Sequence, residues 1–189
     1  FSDQYGYRSD SSMGIALIFT LYAIVTVLSI YGGYLPKLFV EKKGMNPYQG
    51  RMLAMFIFAL FPVLALFAQP LGQYSAWWPA IIIGLVGAGH QAWSANIYST
   101  VSDMFPKSAV ATITGIGAAA GGLGSMLINK GSGMLFTYAE AEGEAFTFMG
   151  FDGKPAGYMI IFCICAVAYL IGWVVMKALV PKYKLVVID

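Results

Sequence analysis

The sequence predicts an all-α membrane protein, a polytopic bundle of five transmembrane helices. Two observations lead to this prediction. Hydrophobic residues make up 59% of the chain and charged residues only 11%, against about 25% charged residues in a soluble domain. In addition, residues 52–102 contain no Lys, Arg, Asp or Glu. As a helix this run would be roughly 76 Å long, more than twice the ~30 Å of a bilayer core, so we expect it to cross the membrane twice.

The remaining spans follow from the other uncharged windows of the chain. The long window is expected to divide at Gln69-Pro70-Leu71-Gly72-Gln73, where Pro, Gly and amide side chains favour a turn. The predicted spans lie near residues 13–35, 52–70, 78–101, 109–131 and 157–179.

The positive charges are distributed unevenly between the two sides of such a bundle. Eight of the eleven Lys and Arg residues fall on one side. These eight are Lys37, Lys42, Lys43, Arg51, Lys107, Lys177, Lys182 and Lys184. Because cytoplasmic loops carry an excess of Lys and Arg, we expect a multi-pass protein of the cell (inner) membrane with its C-terminus in the cytoplasm. The net charge of +2 is too small to predict a nucleic-acid partner.

The predicted outer side has one sizeable segment, residues 131–157. Phe146, Phe148 and Phe151, together with the turn-forming Asp152-Gly153, favour a small hairpin cap. The alternative is an irregular loop.

The predicted inner side has two short connections. The basic stretch from Gly32 to Arg51 is either a topology signal alone or a latch between helices, and Pro36 and Pro47 are expected to mark helix ends there. In the second connection, the Asp103 side chain is expected to accept hydrogen bonds from backbone amides in the first turn of the next helix.

The third span carries the candidate functional residues. Polar side chains at mid-bilayer depth cost free energy unless they face protein or a water-filled cavity. Helical spacing places Gly89, Trp93, Asn96 and Thr100 on one face, with Gln91 and Tyr98 on an adjacent stripe. The predicted substrate-binding residues are His90, Gln91, Trp93, Asn96 and Tyr98. The alternative role for these residues is interhelical hydrogen bonding that only holds the bundle together.

The fourth span is rich in small residues, including the pairs Gly117/Gly121 and Gly121/Ser125. Small residues four apart let helix backbones approach closely. The pattern fits either static packing or a gating helix that moves against a neighbour.

Several blocks together resemble the major facilitator superfamily, and within it the hexuronate transporters of the anion:cation symporter family of sugar-acid permeases. The resemblance covers nearly the whole chain. It is carried by Gly32-Gly33-Tyr34-Leu35, Gly89-His90-Gln91-Ala92-Trp93-Ser94-Ala95-Asn96, Val101-Ser102-Asp103-Met104-Phe105-Pro106-Lys107, Gly115-Ile116-Gly117, Gly121-Gly122 and Leu179-Val180-Pro181-Lys182-Tyr183.

The resemblance implies that residues 1–189 are part of the C-terminal six-helix half of a twelve-helix transporter, with five spans corresponding to helices eight to twelve. The N-terminal half of the same protein, which in similar permeases carries the anion-binding Arg and the proton-carrying acids, would then be a required partner. One departure is Lys37, which stands where the family often has an acid, and this puts an acid-based gate latch at that loop in doubt.

By the same resemblance the function is proton-coupled symport of a sugar acid, such as galacturonate or glucuronate, by alternating access in the lipid bilayer. Trp93 would form a wall for the sugar ring, and Gln91 and Asn96 would bind its hydroxyl or carboxylate groups. Tyr98 would lie near the cytoplasmic end of the cavity, and His90 would tune the site electrostatically.

Two other functions remain open from the sequence: transport of another organic anion, and a non-transporting membrane subunit on the same bundle. An enzyme is not expected, because His90 is the main titratable group near the midplane, apart from Cys and Tyr side chains. No cofactor or metal is expected.

Overall fold

The structure, a computed structural model, describes residues 1–186, and 82% of it is helical. Two short 3-10 segments, Phe61–Phe67 and Gly143–Ala145, interrupt the α-helices. The α-helices are α1 (Ser2–Tyr5), α2 (Ser12–Ser29), α3 (Tyr31–Lys43), α4 (Pro47–Ala59), α5 (Ala68–Gly72), α6 (Trp77–Met104), α7 (Lys107–Glu142) and α8 (Lys154–Leu179). The strands are β1 (Thr147–Phe148) and β2 (Phe151–Asp152).

Four helical stretches are long and apolar enough to cross a membrane, which agrees with the predicted all-α membrane class. They are Ser12–Lys43, Pro47–Gly72, Lys107–Ala145 and Lys154–Leu179, and four of the predicted spans fall within them. The predicted span 78–101 lies in α6. This helix is long enough to cross a membrane, but its glycines and polar side chains lower its mean hydropathy. The count of five spans therefore stays a prediction.

Helix α6 is the central element of the bundle. It packs against α2, α3, α4 and the 3-10 segment Phe61–Phe67. Close approach is possible because α6 presents small residues: a Cβ atom at Gly84 would lie 3.1 Å from the Cβ atom of Ile24, and one at Gly89 would lie 2.5 Å from that of Phe61. Helix α8 closes another side by packing on the 3-10 segment and α4.

The second predicted span, residues 52–70, stays helical beyond its predicted end, and its irregular part lies inside the span. The turn predicted at residues 69–73 is wrong, because α5 continues to Gly72 and the chain turns over residues 73–76. The irregular part lies upstream, in the 3-10 segment that contains Pro62. Gln69 is not a surface turn residue but is only 3% exposed.

The two prolines of the basic connection have different positions. Pro47 begins α4, preceded by an Asn46–Gln49 capping box in which Asn46 accepts from the Gln49 amide at 2.8 Å. The expectation that Pro36 ends a helix is wrong, since Pro36 lies inside α3. That helix ends instead at Gly44, whose φ of 63° is the left-handed conformation favoured at helix C-termini.

Helix α7 is much longer than the predicted span 109–131. It has 36 residues, roughly 54 Å at ~1.5 Å per residue, so the predicted loop 131–157 is wrong over its first half. Its middle stands apart from the rest of the described chain: Cβ atoms at Gly117 and Gly121 would meet no described atom within 4 Å. Among the described helices, its main contacts are with α8 and α6.

The segment between α7 and α8 contains a hairpin, as one of the two alternatives predicted. Strands β1 and β2 pair antiparallel, with Phe148 opposite Phe151. The turn is Met149-Gly150, not Asp152-Gly153, and both of its residues have positive φ (51° and 81°), as a two-residue hairpin turn of type I′ requires.

Asp103 does not cap the next helix, whose N-terminus has no side-chain cap. Its carboxylate instead accepts two hydrogen bonds from Arg51, at 2.5 Å from Nε and 3.3 Å from Nη2. Arg51, the last residue of the basic stretch and part of α4, thus links α4 to α6.

Candidate substrate site

The candidate residues lie between the midpoint of α6 and its last two turns, but the structure divides them into two groups. Trp93 and Asn96 are buried at 6% and 1% exposure. His90, Gln91 and Tyr98 are exposed. The predicted common face of Gly89, Trp93, Asn96 and Thr100 exists, since all four are buried, and this face is turned into the bundle.

Trp93 is packed between α4 and α8. Its indole contacts Met55 and Ala59 of α4 and a group of partly buried side chains on α8. The nearest ring is that of Tyr169, at 5.5 Å between centroids and an interplanar angle of 85°. An edge-to-face pair of this kind adds about 0.5–1.5 kcal/mol beyond the buried area, so Trp93 fixes the position of Tyr169.

Asn96 bridges α6 and α3. Its Nδ2 atom donates to the carbonyl oxygens of Gly32 and Ala92, each at 2.8 Å. Thr100, one turn further on, donates from Oγ1 to the Asn96 carbonyl at 2.8 Å. The amide donor of Asn96 is therefore occupied by the helix–helix contact, as the interhelical alternative predicted.

His90 lies halfway along α6 and is hydrogen-bonded through Nδ1 to the Tyr169 hydroxyl. Tyr169 in turn contacts the Trp93 ring, so one tyrosine of α8 joins a buried and an exposed candidate. Sequence reasoning missed Tyr169. The available signal was its hydroxyl, the main polar group in the middle of an otherwise apolar stretch between Tyr158 and Trp173.

Gln91 and Tyr98 belong to an exposed stripe of α6 with the spacing i, i+4, i+7, i+11. We call this stripe the open face of α6, and it consists of Gln91, Ala95, Tyr98 and Ser102, all exposed. It is uncharged, since the only acid of α6 is Asp103, which is paired with Arg51. The open face can donate hydrogen bonds from the Gln91 amide and the Tyr98 hydroxyl, whereas the Ser102 hydroxyl donates to the Tyr98 carbonyl at 3.3 Å. It offers no compensating charge.

Comparison of the chain with protein-family models, with curated proteins and with solved structures found no match.

Proposed function

We propose that the chain is the C-terminal part of a secondary transporter that couples uptake of a sugar acid to proton entry. The main support is the open face of α6: Gln91 and Tyr98 are exposed polar side chains on a helix embedded among membrane-spanning helices. A polar side chain at that depth is costly against lipid. This favours a water-filled cavity or another protein surface opposite the open face.

In this proposal the two groups of candidate residues have different roles. Gln91 and Tyr98 contact the substrate, since an amide and a phenol together donate to and accept from sugar hydroxyls and a carboxylate. Trp93 and Asn96, which are buried, act as positioning residues behind them. His90 and Tyr169, which are hydrogen-bonded to each other, form the edge of the site.

The exposed middle of α7 fits the same proposal. An uncovered glycine-rich surface on an apolar helix favours close packing against another helix. In the twelve-helix transporter that the resemblance implies, an N-terminal half would supply helices that can pack against this surface. The cell (inner) membrane and a cytoplasmic C-terminus follow from the distribution of Lys and Arg.

The uncharged open face leaves the substrate's negative charge to be balanced elsewhere, and in similar permeases the N-terminal half has this role. Sugar acids are proposed on the resemblance of the block around Gly89–Asn96. A different organic anion is the alternative, and a non-transporting subunit with the same bundle is a further one.

Uptake by the full-length protein tests the proposal. Proteoliposomes would be given labelled galacturonate with and without an inward proton gradient, against excess glucuronate, gluconate or glucose. We expect gradient-stimulated uptake that the uronates block and glucose does not. Uptake of a different organic anion alone would refute the sugar-acid assignment, and no uptake of any anion by folded protein would refute transport.

Variants on the exposed stripe test the site separately. We expect Gln91→Ala to raise KM or abolish uptake with unchanged expression. Gln73→Ala is the matched control, since Gln73 is an exposed glutamine in the turn before α6. Equal uptake by both variants would remove Gln91 from the site.

A further inference from the structure

A cavity lies at the end of the bundle where α4 begins and α8 ends. Its volume is about 370 Å³, within the ~300–1,000 Å³ of typical small-molecule sites. Its walls come from the start of α4, the last turns of α8 and the chain that follows α8. The lining includes Asn46, Tyr48, Gln49, Lys177, Lys182 and Tyr183.

The segment after α8 is held in place as one wall of this cavity. The Tyr48 hydroxyl donates to the Val180 carbonyl, and the Tyr183 hydroxyl donates to the Asp103 carbonyl at 3.2 Å. Further along, the Val186 amide donates to the Met104 carbonyl at 2.9 Å. These bonds fix Lys182, which lies between Val180 and Tyr183, beside the ends of α4 and α6.

The charge of the cavity is positive. Lys177 and Lys182 line it, and no carboxylate is among its lining residues. Lys177 is already oriented, because its Nζ atom donates to the Pro181 carbonyl at 3.3 Å and lies 5.6 Å from the centroid of the Tyr48 ring. An ammonium group has three donors, so Lys177 retains donors for an anion.

The position of the cavity narrows the choice of anion. Pro47 is the first residue of one candidate membrane span and Leu179 is the last of another, so the cavity lies where apolar helix surface gives way to polar loops. Phospholipid headgroups occupy this level of a membrane, and basic pockets at helix ends bind anionic headgroups.

We infer that this cavity binds the phosphate group of an anionic phospholipid, with Lys177 and Lys182 as its charge partners and the side-chain amides of Asn46 and Gln49 as additional donors. Inorganic phosphate shares the binding chemistry. The lipid is favoured because the acyl chains can extend from the cavity along α4 and α8.

Native mass spectrometry of the protein in neutral detergent tests the inference. Phosphatidylglycerol and phosphatidylcholine would be titrated onto wild type, K182Q, K177Q/K182Q and K42Q/K43Q. Lys42 and Lys43 precede α4 and are not among the lining residues, so their double variant removes the same charge outside the cavity. Gel filtration shows which variants are folded.

We expect phosphatidylglycerol to bind better than phosphatidylcholine. At ~1 kcal/mol per lysine, affinity should fall about fivefold in K182Q and about 30-fold in K177Q/K182Q, and less than threefold in K42Q/K43Q. Equal losses in the two double variants, or none in the cavity variants, would overturn the site. Displacement of the lipid by equimolar inorganic phosphate would overturn the lipid as its occupant.

Discussion

The Nδ2 atom of Asn96 lies 2.8 Å from the carbonyl oxygen of Gly32, and this carbonyl is the one that Pro36 leaves without its helical partner. In an α-helix the amide of residue i+4 donates to the carbonyl of residue i, but Pro36 has no amide hydrogen. Asn96 supplies the missing donor from another helix. The polar residue in α6 and the proline in α3 are thus two parts of one hydrogen-bonding arrangement.

This arrangement predicts a rescue experiment. Asn96→Ala leaves the buried Gly32 carbonyl unpaired and should cost about 1–3 kcal/mol of unfolding free energy. Pro36→Ala restores a backbone amide that can donate to Gly32, so the double variant should be less destabilised than Asn96→Ala alone. Unfolding in mixed micelles measures both effects, and strictly additive losses would contradict the account.

Arg51 and Asp103 should be coupled more strongly than a surface ion pair. Their side chains are only 22% and 27% exposed and form a two-pronged contact. We expect a double-mutant cycle with Arg51→Ala and Asp103→Ala to give a coupling energy of about 1–3 kcal/mol. The matched control is the exposed i,i+4 pair Lys37–Glu41, for which about 0.3–0.5 kcal/mol is expected. A similar value for both pairs would show that the Arg51–Asp103 link is not a latch.

The contact between α1 and α8 should depend on pH. Asp3 accepts from Lys154 at 3.0 Å and from the Tyr158 hydroxyl at 2.9 Å, and the Lys154 hydrogen bond, then that of Tyr158, lowers the pKa of Asp3 below its usual 3.8. A lowered pKa in the folded state stabilises the fold above the unfolded pKa, and this contribution disappears as the pH falls through the folded value.

We therefore expect Asp3→Asn to lower the melting temperature at pH 6, with the difference from wild type shrinking as the pH falls below the usual aspartate pKa of 3.8 and through the lower folded value. Asp10→Asn is the control, because the Arg8–Asp10 pair is 78% and 68% exposed and should contribute little at any pH. A wild-type advantage over Asp3→Asn that persists at the lowest pH would contradict the assignment to Asp3 ionisation.

The positions of the helices were predictable largely because charges are rare in this chain. Windows without charge locate apolar helices, and the predicted end of the last span at residue 179 coincides with the end of α8. The same rule places the end of the fourth span too early, because the uncharged window stops at Lys130. A single lysine marks where a helix leaves the apolar zone, but it does not end the helix. The backbone of α7 remains helical as far as Glu142.

The candidate site was predictable only as a set of helix faces. Helical spacing correctly grouped Trp93 with Asn96 and Gln91 with Tyr98. Which face turns into the bundle depends on the neighbouring helices, and above all on Pro36 in α3 and Tyr169 in α8. These two residues act on α6 from more than 50 residues away in the chain. The periodicity of α6 alone cannot predict such contacts between helices.

Gly32 and Gly33 should respond differently to the same substitution. A Cβ atom at Gly32 would lie 2.6 Å from both Cα and Cβ of Ala92, whereas one at Gly33 would meet no described atom within 4 Å. Since Ala92 Cα belongs to the α6 backbone, Gly32→Ala should separate the two helices and cost about 1–3 kcal/mol. Gly33→Ala should be neutral or stabilising by up to ~1 kcal/mol through helix propensity. Equal melting temperatures for the two variants would show that α3 and α6 do not pack this closely.

The glycine-rich surface of α7 allows stability and transport to be separated. Gly121→Leu should leave the melting temperature of the 189-residue chain unchanged or slightly raised, because a side chain there meets no described atom nearby and leucine favours the helix more than glycine does. In the full-length protein we expect the same variant to lose most sugar-acid uptake, since a bulky residue prevents close helix contact. Leu123→Met, an exposed and volume-conserving change on the same helix, should retain uptake. If Gly121→Leu transports as well as Leu123→Met, then no helix packs closely against Gly121 during the transport cycle.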